Sequence, residues 1–381
     1  MSPARMDPIS GDAVAIVNEL VRLAVSQRAS DIHLEPKHDM LHVRFRVDGA
    51  LVDVQPIANV VAPNVVSRVK VLARMDIAER RLPQDGQIAI DLDGGRRVHL
   101  RCSTFPASQG EKVVLRILSS QQIIAFQDLG VEPAMQRILR DAAQRPQGFV
   151  VTSGPTGAGK TSTLYALMQL IDPTEVNVMT LEDPIEVEIS GLTQGQVNVR
   201  TGFTFATGLR AILRQDPDVI LVGEMRDPET MALAITAAAT GQLVLGTLHT
   251  MSASQTVDRI LDSFEGEKAA QVRLMLAESL KAVLAQRLLR RRDGRGRALG
   301  LEVLVSNGAV SALVREKKTF QLGSVIQTGK REGMQSIDES VLQLLRDGEV
   351  DLDEAGQHVT NRELLAGITP APAKAPPRAA A

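Results

Sequence analysis

The stretch Gly154-Pro155-Thr156-Gly157-Ala158-Gly159-Lys160-Thr161 constrains this chain more than any other part of it. It fits the spacing G-x-x-x-x-G-K-[ST], and its surroundings matter as much as its letters. The apolar run Phe149-Val150-Val151 precedes it, and a segment of helical spacing from Lys160 to Ile171 follows. Strand, glycine-rich turn and helix in that order let backbone N–H groups curl around a phosphate chain, with the helix directing its positive end at the same anion. Lys160 would reach the β and γ oxygens of ATP, and Thr161 would offer a hydroxyl to Mg2+. The candidate nucleotide-binding set is Gly154, Pro155, Thr156, Gly157, Ala158, Gly159, Lys160, Thr161 and Ser162. A plain glycine-rich turn is the competing reading.

Short runs that are apolar on both sides recur at Val176–Leu181, Val219–Val222 and Leu243–Leu248. They alternate with helical segments, Pro228–Ala239 and Ser252–Ser263, and so predict a mostly parallel sheet covered on both faces. This α/β core is expected over residues 148–265. Residues 266–366 read as mainly helical, and the Pro/Ala-rich tail 367–381 as disordered. Upstream, residues 1–11 form a polar arm expected to be loose, and residues 12–118 an α+β domain. There a helix from Asp12 to Arg28 gives way to period-two alternation: Leu41, Val43, Phe45 and Val47 against His42, Arg44, Arg46 and Asp48. Asp48-Gly49 and Asp93-Gly94-Gly95 are turn signals between strands, and Val60–Met75 is helical. Residues 119–147 link the two parts, with a helix near Pro133–Ala143.

Acids stand where the parallel strands end, the region where such sheets bind ligands. Val219-Ile220-Leu221-Val222 runs out at Gly223-Glu224, and Glu224 could order Mg2+ and water there or simply be a surface acid. Glu182, Asp183 and Glu186 cluster after another strand, in Thr180-Leu181-Glu182-Asp183-Pro184-Ile185-Glu186. One of them could orient an attacking water, or the group could be a polar turn ended by Pro184. His249 ends the run Leu243–Leu248 and reads either as a γ-phosphate contact or as a structural histidine.

Composition removes several function classes. At 381 residues the chain suits two domains. A formal net charge of −2, with 8 Phe, 1 Tyr and no Trp, gives neither a basic field nor stacking platforms, so no nucleic-acid partner is expected. Arg287, Arg290, Arg291 and Arg292 read as a solvated helix end. A single cysteine, Cys102, excludes an intramolecular disulfide and a cysteine zinc cage. No apolar stretch is long enough for membrane insertion, and the first 30 residues lack a signal-peptide core, so a cytoplasmic location is expected.

GPTGAGKT, TLEDPIE, LRQDPDVILVGEMRDPET and TGQLVLGTLHT together resemble the Walker A, Asp box, Walker B and His box of the secretion ATPase superfamily, which serves type II secretion and type IV pili. The resemblance runs from about Ala29 to Leu365. It implies a PAS-like N-terminal α+β domain and a RecA-like P-loop ATPase core with a helical C-terminal region. It also implies Glu182 as the catalytic glutamate, Glu224 as an atypical Walker B glutamate and metal contact with Thr161, and His249 as a γ-phosphate contact. Members are homohexamers that hydrolyse ATP with Mg2+. They dock on an inner-membrane pilus platform protein, which implies peripheral association with the inner membrane.

The first domain resembles the assembly and secretion members in ASDIHLEP, RVDG, RRLPQDGQI, RCSTFP and GEKVVLRIL. Arg101 and Arg116 stand where those proteins carry arginines that reach the bound nucleotide, and strand alternation turns Arg101 away from Val98, Leu100 and Cys102. A surface arginine is the other reading at each position. Assembly and secretion members generally carry a tetracysteine zinc subdomain in their C-terminal part, and this chain has no cysteine there. The C-terminal region, including Ala309-Val310-Ser311-Ala312-Leu313-Val314-Arg315-Glu316, is similar to that of the retraction ATPases. The expectation is therefore a twitching-motility retraction motor, with pilus assembly or type II secretion as the alternative. A nucleotide-switched binding module with little turnover is the alternative of another class.

Overall fold

Asp12 caps the first helix, α1 (Ala13–Ser26), accepting from the Ala15 N–H at 3.3 Å. Ile16, Val17, Leu20, Val21 and Ala24 form its buried stripe at helical spacing. Three strands follow, β1 (Asp31–Pro36), β2 (Met40–Val47) and β3 (Ala50–Ala58), then α2 (Ala62–Leu72) and the strands β4 (Gln84–Leu92), β5 (Arg96–Ala107) and β6 (Gly110–Leu118). They form an antiparallel sheet in the order β3-β2-β1-β6-β5-β4. Ile32, Leu34, Val43, Phe45, Leu100 and Leu115 project from one face into the core that includes the stripe of α1. Cys102 is buried among them, and burial pushes its thiol up to about 12.

The computed structural model describes residues 9, 11–27, 29–47, 50–92, 96–118, 123–294 and 296–368. The expected turns at Asp48-Gly49 and Asp93-Gly94-Gly95, most of the arm and the tail from 369 onward lie outside the described residues. One position of the arm is corrected. Ile9 is not loose: its N–H donates to the Pro56 carbonyl at 2.7 Å and its carbonyl accepts from Ala58 at 3.0 Å, bridging it to β3. The chain divides into two units, Met1–Gln122 and Ile123–Ala381.

In the second unit α3 (Pro133–Ala143) buries Met135, Leu139, Ala142 and Ala143. The alternating order follows: β7 (Gly148–Ser153), α4 (Lys160–Met168), β8 (Val178–Glu182), β9 (Thr193–Gln196), α5 (Phe205–Ile212), β10 (Val219–Val222), α6 (Pro228–Thr240), β11 (Leu243–Leu248), α7 (Ala253–Leu261) and α8 (Gly266–Ser279). Every residue of β7, β10 and β11 is buried, as strands covered on both faces require.

The chain beyond Glu265 departs from the expectation in part. It is helical from α9 (Gly308–Arg315) through α10 (Leu322–Thr328) and α11 (Ile337–Arg346) to α12 (Leu352–His358), but two strands precede these, β12 (Leu280–Arg290) and β13 (Arg297–Val305). Both join the sheet, whose order is β13-β12-β7-β11-β10-β8-β9. All its pairs are parallel except β12 with β13. Ala282–Gln286 is buried without interruption, and such a run has no period by which strand and helix can be told apart. Arg287 and Arg290 consequently lie on a strand and not at a helix end. Arg290 pairs with Glu354 of α12, whose carboxylate also accepts from the Arg290 backbone N–H at 2.7 Å.

Candidate nucleotide-binding site

The loop from Gly154 to Gly159 leaves β7 and enters α4. Gly154, Gly157 and Gly159 have φ of 144°, 80° and 83°, which side chains resist. A Cβ at Gly154 would also strike the Gln286 carbonyl oxygen at 2.5 Å, whereas a Cβ at Gly157 would meet nothing within 4 Å. The loop is thus anchored against β12 at its root and open at its tip, where Pro155, Thr156 and Gly157 are exposed. Thr161 and Ser162 occupy the first turn of α4, partly exposed at its N-terminal end.

Lys160 is only 9% exposed, yet its Nζ donates to neutral groups, the carbonyls of Gly154 at 2.8 Å and Pro155 at 3.0 Å. Burial lowers its pKa, with Glu224 acting the other way. His249 joins the two: its Nδ1 is 3.4 Å from Lys160 Nζ and its Nε2 is 3.1 Å from Glu224 Oε1. These residues leave the ends of β7, β11 and β10, adjacent strands of the sheet, and so converge on one edge. Burial pushes the Glu224 carboxyl up, but Arg226, His249 and Lys160 more than offset this and hold it below the usual range. Arg226 Nη2 donates to Glu224 Oε2 at 2.7 Å.

Glu182 ends β8 one strand further out and is 2% exposed. Tyr165 of α4 donates its hydroxyl to Oε2, while Thr180 Oγ1 and Gln194 Nε2 donate to Oε1 at 2.5 and 3.1 Å. Burial, and then the charge of Glu182, raises the pKa of neighbouring Glu186. The acids of the TLEDPIE segment are therefore not equivalent: Glu182 is ringed by donors and Glu186 resists ionisation.

The cradle fits a polyphosphate, because a buried ammonium whose partners are two carbonyls and an imidazole nitrogen gains most from an anion. No group of three His, Cys, Asp or Glu among the described residues forms a protein metal cage. Thr161 and Glu224 would hold Mg2+ together with phosphate oxygens and waters, as that cation prefers. Bound there, it would neutralise charge on the β and γ oxygens.

A family model described as type II/IV secretion system protein matches residues 10–357. The chain belongs to this family. Type II secretion system protein E of Klebsiella pneumoniae is 47% identical over 279 residues, 73% of this chain and 55% of its own length. Type II secretion system protein HxcR of Pseudomonas aeruginosa is 40% identical over 365 residues, 90% of this chain and 76% of its own. The chain spans about half the length of the first of these and of several similar relatives. Among solved structures, the pilus retraction motor PilT with bound ADP matches at a TM-score of 0.76 and 30% identity, over 91% of this chain and 98% of its own.

In this type II/IV secretion system protein the remaining candidates, Arg101 and Arg116, lie in the first unit, directly opposite each other on β5 and β6. Arg116 Nε donates to Asp31 Oδ1 at 2.9 Å, and Arg101 is exposed. Motif reading passed over Arg226, Tyr165, Thr180 and Gln194, which contact the acids it selected. Arg226 could have been found by its position two residues after Glu224. Gln194 could not, because only the pairing of β8 with β9 brings it to Glu182.

Proposed function

We propose that this family member is a Mg2+-dependent ATPase that works as a homohexameric ring. The observation that carries this reading is the Lys160–His249–Glu224 chain of contacts across the ends of three adjacent strands. Lys160 clamps the β and γ phosphates, and Thr161 and Glu224 hold the metal. Glu182 orients the attacking water, and His249 senses the γ-phosphate. Arg101 and Arg116 complete the site of a neighbouring subunit. The expected domains belong to this reading: an N-terminal α+β domain over residues 12–118 and an ATPase core over residues 148–265. No helix among the described residues is long and apolar enough to cross a membrane. In this reading the ring acts in the cytoplasm, docked on an inner-membrane platform protein.

For the direction of work, the relatives at 40–47% identity carry type II secretion names and favour a secretion or assembly motor. The likeness to PilT over nearly its full length favours retraction, as does a C-terminal region without cysteines. We give the first reading precedence on identity, reversing the order expected from the motifs. Purified protein should hydrolyse ATP and stop when EDTA removes Mg2+; persistence without the metal would reject the reading. A deletion strain should lose secretion or surface pili, whereas hyperpiliated, non-motile cells would establish retraction instead.

A further inference from the structure

Glu182 stands three strand positions from the strand that feeds the phosphate loop, in the order β7-β11-β10-β8. That is about 14 Å across the sheet. The carboxylate and the loop must nevertheless keep register if water is to be aimed at a phosphate. A side chain of helix α4 links the two. Tyr165 lies five residues after Lys160, on the helix that begins at the phosphate loop, and its hydroxyl donates to Glu182 Oε2.

We propose that Tyr165 is a positioning residue, tying Glu182 to the helix that carries Lys160 and Thr161 so that phosphate clamp and water-orienting carboxylate are placed by one rigid piece. Three observations lead here. Tyr165, the one tyrosine of the sequence, is 2% exposed, so a phenylalanine would serve equally well if apolar packing were all that mattered. The other oxygen of Glu182 is held by donors from different elements, Thr180 on β8 and Gln194 on β9. Gln194 is itself fixed, donating to the Val187 carbonyl at 3.0 Å and accepting from Ile189 N–H at 2.7 Å. Within this ring only Tyr165 reports the position of the phosphate-binding helix.

The proposal rests on Glu182 as the water-orienting group, and the test separates the two. Tyr165→Phe in the full chain, assembled and with unchanged thermal melting, should lose about 10–100-fold in kcat while KM for ATP stays within about twofold. A merely structural role would lower melting temperature and folded fraction, and its loss of turnover would persist in a Glu182→Gln background. In a Glu182→Gln background, adding Tyr165→Phe should cost nothing more. Unchanged kcat in folded Tyr165→Phe, beside an inactive Glu182→Gln, would overturn the proposal alone. Near-normal turnover in Glu182→Gln would overturn the assignment of Glu182.

Discussion

On the N-terminal sheet the buried carboxylates of β1 have cations at hand. Glu35 accepts from Lys112 and Arg44 at 2.8 and 2.7 Å, and Asp31 from Arg116 at 2.9 Å. In the C-terminal unit Lys160, at the start of α4, is buried to a similar degree but is offered only loop carbonyls and a histidine. Paired charges of the first kind add stability and need nothing further. A buried ammonium of the second kind costs stability until an anion arrives, and binding then returns that energy. The contrast separates charge that maintains a sheet from charge held ready for a ligand.

The contrast is broken most sharply at Lys160. Lys160→Ala should cut hydrolysis by roughly 10²–10⁴-fold, several kcal/mol of barrier, and abolish the rise in melting temperature that nucleotide gives the wild type. Retained nucleotide stabilisation in a calorimetric scan would mean that the loop grips phosphate without its lysine.

Arg116 tests whether the N-terminal charges are wholly structural. If Arg116 works across subunits, Arg116→Ala rings should lose at least about tenfold in turnover and regain activity when mixed with Lys160→Ala subunits, because one interface then holds an intact site. Absence of recovery between folded, hexameric partners would confine Arg116 to its bond with Asp31.

The smallest effect is read in acid. Lys112 and Arg44 outweigh the upward push of burial and hold Glu35 at about 2, below the ordinary 4.5. Its contribution is therefore full above about pH 4.5 and is lost as pH falls towards 2. Because those cations are 37% and 32% exposed, solvent screening reduces the loss to about 2 kcal/mol. Urea unfolding of Glu35→Gln should show a lower stability at pH 6 and a flatter fall between pH 4.5 and 2.5. An unchanged slope would place the acid sensitivity elsewhere.

Much of this arrangement was legible in the residues, and the reasons are specific. The loop Gly154–Thr161 is contiguous, so its spacing carries its geometry. Strands β7, β10 and β11 are uniformly apolar and flanked by helical periods, so their parallel pairing could be anticipated. β12 could not be separated from helix, because its buried stretch follows another helix with no turn residue between them: α8 ends at Ser279 and β12 begins at Leu280. Ile9 was hidden for the opposite reason, a single apolar residue in a polar arm whose partner lies near position 57. The ring around Glu182 draws on residues 165, 180 and 194, and no local rule brings those together.

The contact between Gly154 and the backbone of β12 has a mechanical corollary. With the Gln286 carbonyl lying where any side chain at 154 would go, and Gln286 Nε2 bonded to Thr163 of α4 at 2.7 Å, loop, helix and strand are tied together at one point. At the far end of β12, Arg290 is bonded to Glu354 of α12. The phosphate loop and the C-terminal helix α12 are thus joined by one continuous strand, β12, and by direct contacts at both of its ends.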